Sequence, residues 1–219
     1  MIQKTKLGIT LLAAAFALGL AAPAFAQDGS ATTTAPVSES RGWGLLGSNY
    51  SGVDFTYDHV SGASPSEWRG FGVDVNHPLA AGLDLNVAYD WARADNYLVR
   101  LTHQDVLGGV TAFTPLEWGK PYVQALAGWA WRDGGGASDN SFMYLVGTGV
   151  EFQVAPTWVV TPYVNFKRAT SFDRSEADFG VKTAYRITRD WSVTAGVQYE
   201  AVRHAKDGVG YSIGVNYHY

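Results

Sequence analysis

The chain ends in VGYSIGVNYHY, residues 209–219. Val209, Tyr211, Ile213, Val215, Tyr217 and Tyr219 alternate with Gly210, Ser212, Gly214, Asn216 and His218. Successive strand residues point to opposite faces, so one face is apolar and aromatic and the other small and polar. Apolar groups outside and polar groups inside suit a barrel wall in lipid. They suit a soluble sandwich less well, because a second sheet would cover the apolar face.

The same alternation runs upstream. Val53, Phe55 and Tyr57 alternate with Asp54, Thr56 and Asp58, and Phe71, Val73 and Val75 with Gly72, Asp74 and Asn76. Gly-Val recurs at 72–73, 109–110, 149–150, 180–181 and 214–215, at spacings of 37, 40, 31 and 34 residues. The unit reads as strand, short turn, strand, longer loop. It lacks the Gly-His and Trp-Asp marks of a propeller blade. Ten strands are expected near 51–59, 69–77, 83–92, 97–113, 121–131, 142–154, 158–167, 178–187, 191–200 and 209–219, with eight as the alternative. In the fourth, Val99 and Leu101 set one phase and Val110 the other, so a bulge or a merger of two pieces is expected there. Loops are expected at 60–68, 93–96 (or to 105), 132–141, 168–177 and 201–208.

The first residues carry an address rather than a fold. Lys4 and Lys6 precede an apolar stretch from Leu7 to Ala22, and Ala24-Phe25-Ala26 is a small-x-small cleavage site. Residues 1–26 read as a secretory signal peptide, with 27–47 as a flexible periplasmic lead and 48–219 as the barrel. The stretch is shorter than the ~20 residues a spanning helix needs.

Without residues 1–26, which hold two lysines and no acid, 14 Lys and Arg face 20 Asp and Glu, a formal charge of −6. That balance argues against a nucleic-acid partner, which needs a basic face. The chain has no cysteine and therefore no disulfide. No other apolar run is long enough for a spanning helix, and only helices and closed barrels cross a bilayer.

Aromatic residues make up 14% of the chain. Trp118, Trp158 and Trp191 fall at expected periplasmic turns, beside Tyr217 and Tyr219. Trp68, Trp91, Trp129 and Trp131 fall at the opposite strand ends. Indole favours the membrane interface, so two such belts are expected to form aromatic girdles.

With its signal peptide, alternating strands and aromatic end Tyr211-x-Ile213-x-Val215-x-Tyr217-x-Tyr219, the chain resembles the small outer-membrane β-barrels of Gram-negative bacteria, the opacity/OmpA-like superfamily, over residues 42–219. The resemblance implies a closed antiparallel transmembrane β-barrel in the outer membrane. It also implies outer-membrane lipids as surroundings, and recognition of the last strand by the barrel assembly machinery. A terminal Phe is commoner there than Tyr219. The resemblance names no activity.

Candidate site residues follow from the phase. Asp54, Asp74, Asp84, Asp90, Glu151, Lys167, Lys182, Arg186 and Glu200 are expected to face the lumen. Acids dominate the first three strands and bases appear on the seventh and eighth, so pairing across the lumen is expected. Either those charges fill the interior or they line a thin water path that selects solutes.

Enzymatic readings have little to rest on. Asp58-His59 and Asp90 lie near the outer rim, and Glu200 to Asp207 carries His204 without a serine in place. His59, His77, His103, His204 and His218 show no metal spacing, so no metal, cofactor or catalytic residue is assigned. The expected function is a structural or small porin-like outer-membrane barrel, with loop-mediated surface binding as the alternative. The sequence leaves the oligomeric state open.

Overall fold

Ten strands make up the wall in a computed structural model that describes residues 44–95, 100–134, 137–172, 174–203 and 205–219. They are β1 (Tyr50–Val60), β2 (Glu67–Ala80), β3 (Leu83–Asp95), β4 (Arg100–Phe113), β5 (Lys120–Gly134), β6 (Ala137–Ala155), β7 (Trp158–Ala169), β8 (Arg174–Arg186), β9 (Trp191–Val202) and β10 (Gly208–His218). Each pairs antiparallel with its sequence neighbours, and β1 closes on β10 over Tyr50↔His218 to Val60↔Gly208. Closure leaves no edge strand, so every strand has a hydrogen-bonded neighbour on both sides.

The alternation decides which way each side chain points. Val53, Phe55, Val73, Val87, Val123, Val181, Val197, Ile213 and Val215 stand exposed on the outside, Ile213 at 65% and Phe55 at 66%. Buried positions on the inside include Asn76, Asp84, Glu151, Asp178, Thr194 and Asn216. This inverts a water-soluble protein, in which apolar groups are the buried ones. Strands of 11 residues, as in β1 and β10, are long enough to cross the hydrocarbon core when tilted. The molecule is a closed, ten-stranded, membrane-spanning β-barrel.

Both termini of the wall lie at one end, with the turns at 81–82, 114–119, 156–157 and 187–190. The other end carries connections at 61–66, 96–99, 135–136, 170–173 and 203–207. These are here called the turn end and the loop end.

Several expectations need correction. The loop-end connections are two to six residues long, hardly longer than the turns. The segment 132–141 is mostly strand: Arg132 pairs with Asp139 and Asp133 with Ser138. Its Gly, Asp and Asn marked exposure, whereas ladder bonds need only the backbone. Strand β4 has no bulge against β3, its register running unbroken from Leu83↔Ala112 to Asp95↔Arg100. The two phases arise because Leu107 is buried inside the barrel while Val106 and Val110 are exposed. Residues 97–99 lie outside the described residues.

Trp118, Trp158, Trp191, Tyr217 and Tyr219 are exposed at the turn end, with Trp191 and Tyr217 rings 5.0 Å apart. Toward the loop end, Trp129 and Trp131 are exposed, and Trp91 stacks on Phe71 at 5.6 Å. Trp68 departs from the girdle. It shares the inward phase of Gly72 and Asp74 and lines the lumen.

Candidate functional site: the lumen

Three levels fill the barrel, from loop end to turn end. The first is a cavity of about 790 Å³ lined by Asp54, Asp58, Asp90, Asp105, Lys167, Lys182, Glu176 and Glu200, among others. Asp90 points inward and yet is exposed, so water reaches it from within the barrel. The acids crowd one wall. Asp90 on β3 stands opposite Asp105 on β4, and Asp54 and Asp90 flank Gly72 on β2 from either side. A Cβ on Gly72 would lie 2.8 Å from an oxygen of each, so only glycine leaves room for both carboxylates. Like charges placed opposite each other repel and favour an incoming cation.

The bases line the opposing wall. Lys167 pairs with Asp178 at 3.0 Å and Glu176 at 3.6 Å, and Arg174 with Glu176 at 2.6 Å. The expected pairing across the lumen is not found for Lys167 or Arg174. Among the described residues Lys167 and Arg174 make no ion pair with the β1–β3 acids. Lys167 and Arg174 are taken by carboxylates on their own wall, which are closer than the far side. An apolar patch interrupts the lining, where Leu107, Ala130, Met143, Leu145 and Ala169 cluster. Nothing in the sequence marks these apart, because each is an apolar residue in the polar phase.

The second level is a belt of neutral side chains. Gln124 donates to Asn165 at 2.9 Å, the Tyr163 hydroxyl donates to Gln198 at 2.8 Å, and Gln198 donates to Glu200 at 2.7 Å. Tyr163, Asn165 and Gln198 also line the cavity, so the belt is continuous with it.

The third level is the turn-end floor. Residues 44–47, assigned to the flexible lead by sequence, are instead seated here with Ser48 as a strap. Glu151 accepts from the backbone N–H of Leu45 at 2.7 Å, and Asp84 from that of Gly47 at 2.8 Å. Asn76 donates to the Ser48 carbonyl at 2.7 Å and Lys120 to the Leu46 carbonyl at 2.8 Å. Lys120 also pairs with Glu151 at 3.2 Å. Glu151 is 1% exposed and Asp84 0%, costs that only such partners offset. Beside the strap, against β7–β10, lies a second cavity of about 200 Å³ reached by Arg186, Ser192 and His218.

Ser192 Oγ lies 2.9 Å from His218 Nε2, and Arg186 Nη2 lies 2.8 Å from His218 Nδ1. Arginine has only donors, so Nδ1 of a neutral His218 accepts and its proton sits on Nε2, donating to Ser192. A serine nucleophile needs the reverse, a histidine that takes its proton. Asp58 faces the lumen and His59 is exposed outside, so adjacent residues that looked like a couple stand on opposite faces. His204 lies outside the described residues. His77 contacts Asn49 at 2.7 Å, and His103 contacts Asp105 at 3.2 Å. Among the described residues no three His, Asp or Glu gather as a metal site.

The sequence matches no family model and no curated protein. Solved structures that the chain resembles include a KdgM porin, at 15% identity over 77% of this chain and 99% of that one, with a TM-score of 0.39. Neisserial surface protein A aligns at 18% identity over 78% and 97%, with a TM-score of 0.41. An outer membrane channel from Pseudomonas putida F1 aligns at 11% identity over 81% and 97%, with a TM-score of 0.44. No activity is carried over from likeness of this degree. The barrel assignment rests on the chain's own strand pairing and outer surface.

Proposed function

We propose that the protein is an integral outer-membrane barrel of Gram-negative type, acting as a narrow porin-like channel that favours small cations. In this reading the loop end faces the exterior and the turn end faces the periplasm. Membrane lipids surround the apolar wall, and β10, ending in Tyr219, is the segment that assembly machinery would read. The outward-opening acid-lined cavity carries the proposal, above all the water-exposed Asp90 inside an apolar-coated wall. Acids concentrated on β1–β4 and bases on β7–β8 set up a field across the lumen, which is how charged linings select ions. A solute must pass the belt of Gln124, Asn165, Tyr163 and Gln198, and long neutral side chains can swing aside.

Loop-mediated surface binding is favoured less, because connections of two to six residues offer little area. Purified protein in planar bilayers is expected to give small, discrete, cation-selective steps, rescaled by Lys182→Gln or Arg186→Gln. Silence across all voltages, with the barrel folded, would oppose the channel.

A further inference from the structure

The strap is attached to the barrel by wall side chains that bond its backbone. Strand pairing on β1 begins at Tyr50, so residues 44–48 take no part in the ladder. They close a local turn, with the Ser48 N–H donating to the Leu45 carbonyl at 3.2 Å. Four wall side chains hold that turn by its backbone, from β2, β3, β5 and β6. The strap can therefore leave without breaking one strand–strand hydrogen bond.

We propose that residues 44–48 are a releasable plug over the turn-end mouth, whose seating decides whether the interior below it is open to solvent. The plug serves permeation only if the channel reading holds, but its release can be measured separately. Three observations carry the inference. Glu151 and Asp84 are buried beneath the strap, and Asp84 Oδ1 has no hydrogen bond. Water admitted on release solvates both carboxylates, so lost contacts are replaced rather than left empty. The cavity beside Gly44 and Leu45 gives the strap room to shift toward β7–β10.

The third observation is backbone geometry. Gly44 has φ +88° and Gly47 φ +80°, a region that residues with a Cβ rarely adopt. A Cβ on Gly44 would fall within the Glu151 carboxylate, and one on Gly47 would sit 3.1 Å from Phe113 Cζ. The seat admits glycine at these two points. Substitutions there unseat the strap and leave all ten strands unchanged in sequence.

Thr111 reports the seal. It is 3% exposed on β4, at the floor beneath the strap, and bonded to Asn86. The protein has no cysteine, so Thr111→Cys provides a unique thiol. In micelles, a charged thiosulfonate reagent is expected to modify this thiol slowly in the otherwise unchanged full chain. In Gly44→Val/Gly47→Val it should react about tenfold faster or more, because the floor stays open. Equal rates in the two proteins overturn the plug. If the double variant loses heat-modifiable migration, Glu151→Gln replaces it, with the same faster reaction expected and the same equality fatal. Bilayer recordings separate the two ideas. Fast modification with no conductance keeps the plug and removes the channel, whereas equal conductance with equal modification keeps the channel and removes the plug.

Discussion

Lys167 on β7 places its Nζ 3.0 Å from Oδ2 of Asp178 on β8. The strands are neighbours, so the contact braces one wall rather than spanning the lumen. Asp178 is fully buried and Oδ1 has no hydrogen-bond partner, which leaves the Lys167 contact at Oδ2 as its compensating charge. Breaking a buried pair by removing one partner costs about 3–5 kcal/mol. The Lys167 side chain is 30% exposed, so the lower figure applies. Lys167→Met should therefore destabilise the folded barrel by about 3 kcal/mol in urea titrations, and adding Asp178→Leu should recover most of the loss. A double variant as unstable as the single one would show that the pair is not what holds this wall.

Selectivity should follow the acid wall. Asp54→Asn/Asp90→Asn removes two carboxyls from the acid wall of the cavity and should lower the preference for cations over anions. Lys182→Gln should raise it. Reversal potentials under a salt gradient read both, and unchanged values would place the selective point elsewhere.

The outer wall sets a depth-dependent cost for charge. An arginine at the bilayer midplane costs a transmembrane barrel about 2–4 kcal/mol, and near the interface about 0–1. Val181→Arg should fall in the first range and Trp118→Arg well below it, measured by reversible folding into lipid vesicles. Equal costs would mean that the two positions share one environment.

The connection between β9 and β10 carries a pH dependence of known sign. The Tyr199 hydroxyl donates to Asp207 at 2.7 Å, and the Val202 N–H donates to it at 3.1 Å. The two hold the Asp207 carboxyl below its ordinary value. A carboxyl lowered in the folded state stabilises above its unfolded pKa, about 3.9, and the benefit fades as pH falls through the folded value. Protease resistance of this connection should hold at pH 5 and weaken only below about pH 4. Asp207→Ala should weaken it at both. Loss already at pH 6 in the unsubstituted protein would contradict the assignment.

Residues such as Val53, Asp54, Ile213 and Asn216 announced their faces because a wall between lipid and a polar lumen imposes a period of two. Strand number and closure followed from turns that fall at regular intervals. The strap was not legible. Gly44-Leu45-Leu46-Gly47 has no periodicity, and its anchor Glu151 lies 106 residues from Leu45. Trp68 misled because an indole near a strand end favours the interface only when the phase turns it outward.

The wall's solvent is the point most open to direct measurement. Spin labels placed singly at positions 73, 181 and 213, and at 74, 182 and 212, can be read for collision with oxygen, which concentrates in hydrocarbon, and with a water-soluble nickel chelate. In reconstituted vesicles the first three should collide with oxygen and the second three with nickel, alternating residue by residue. Nickel contact at 73, 181 and 213 would mean that water, not lipid, bathes the outside of this barrel.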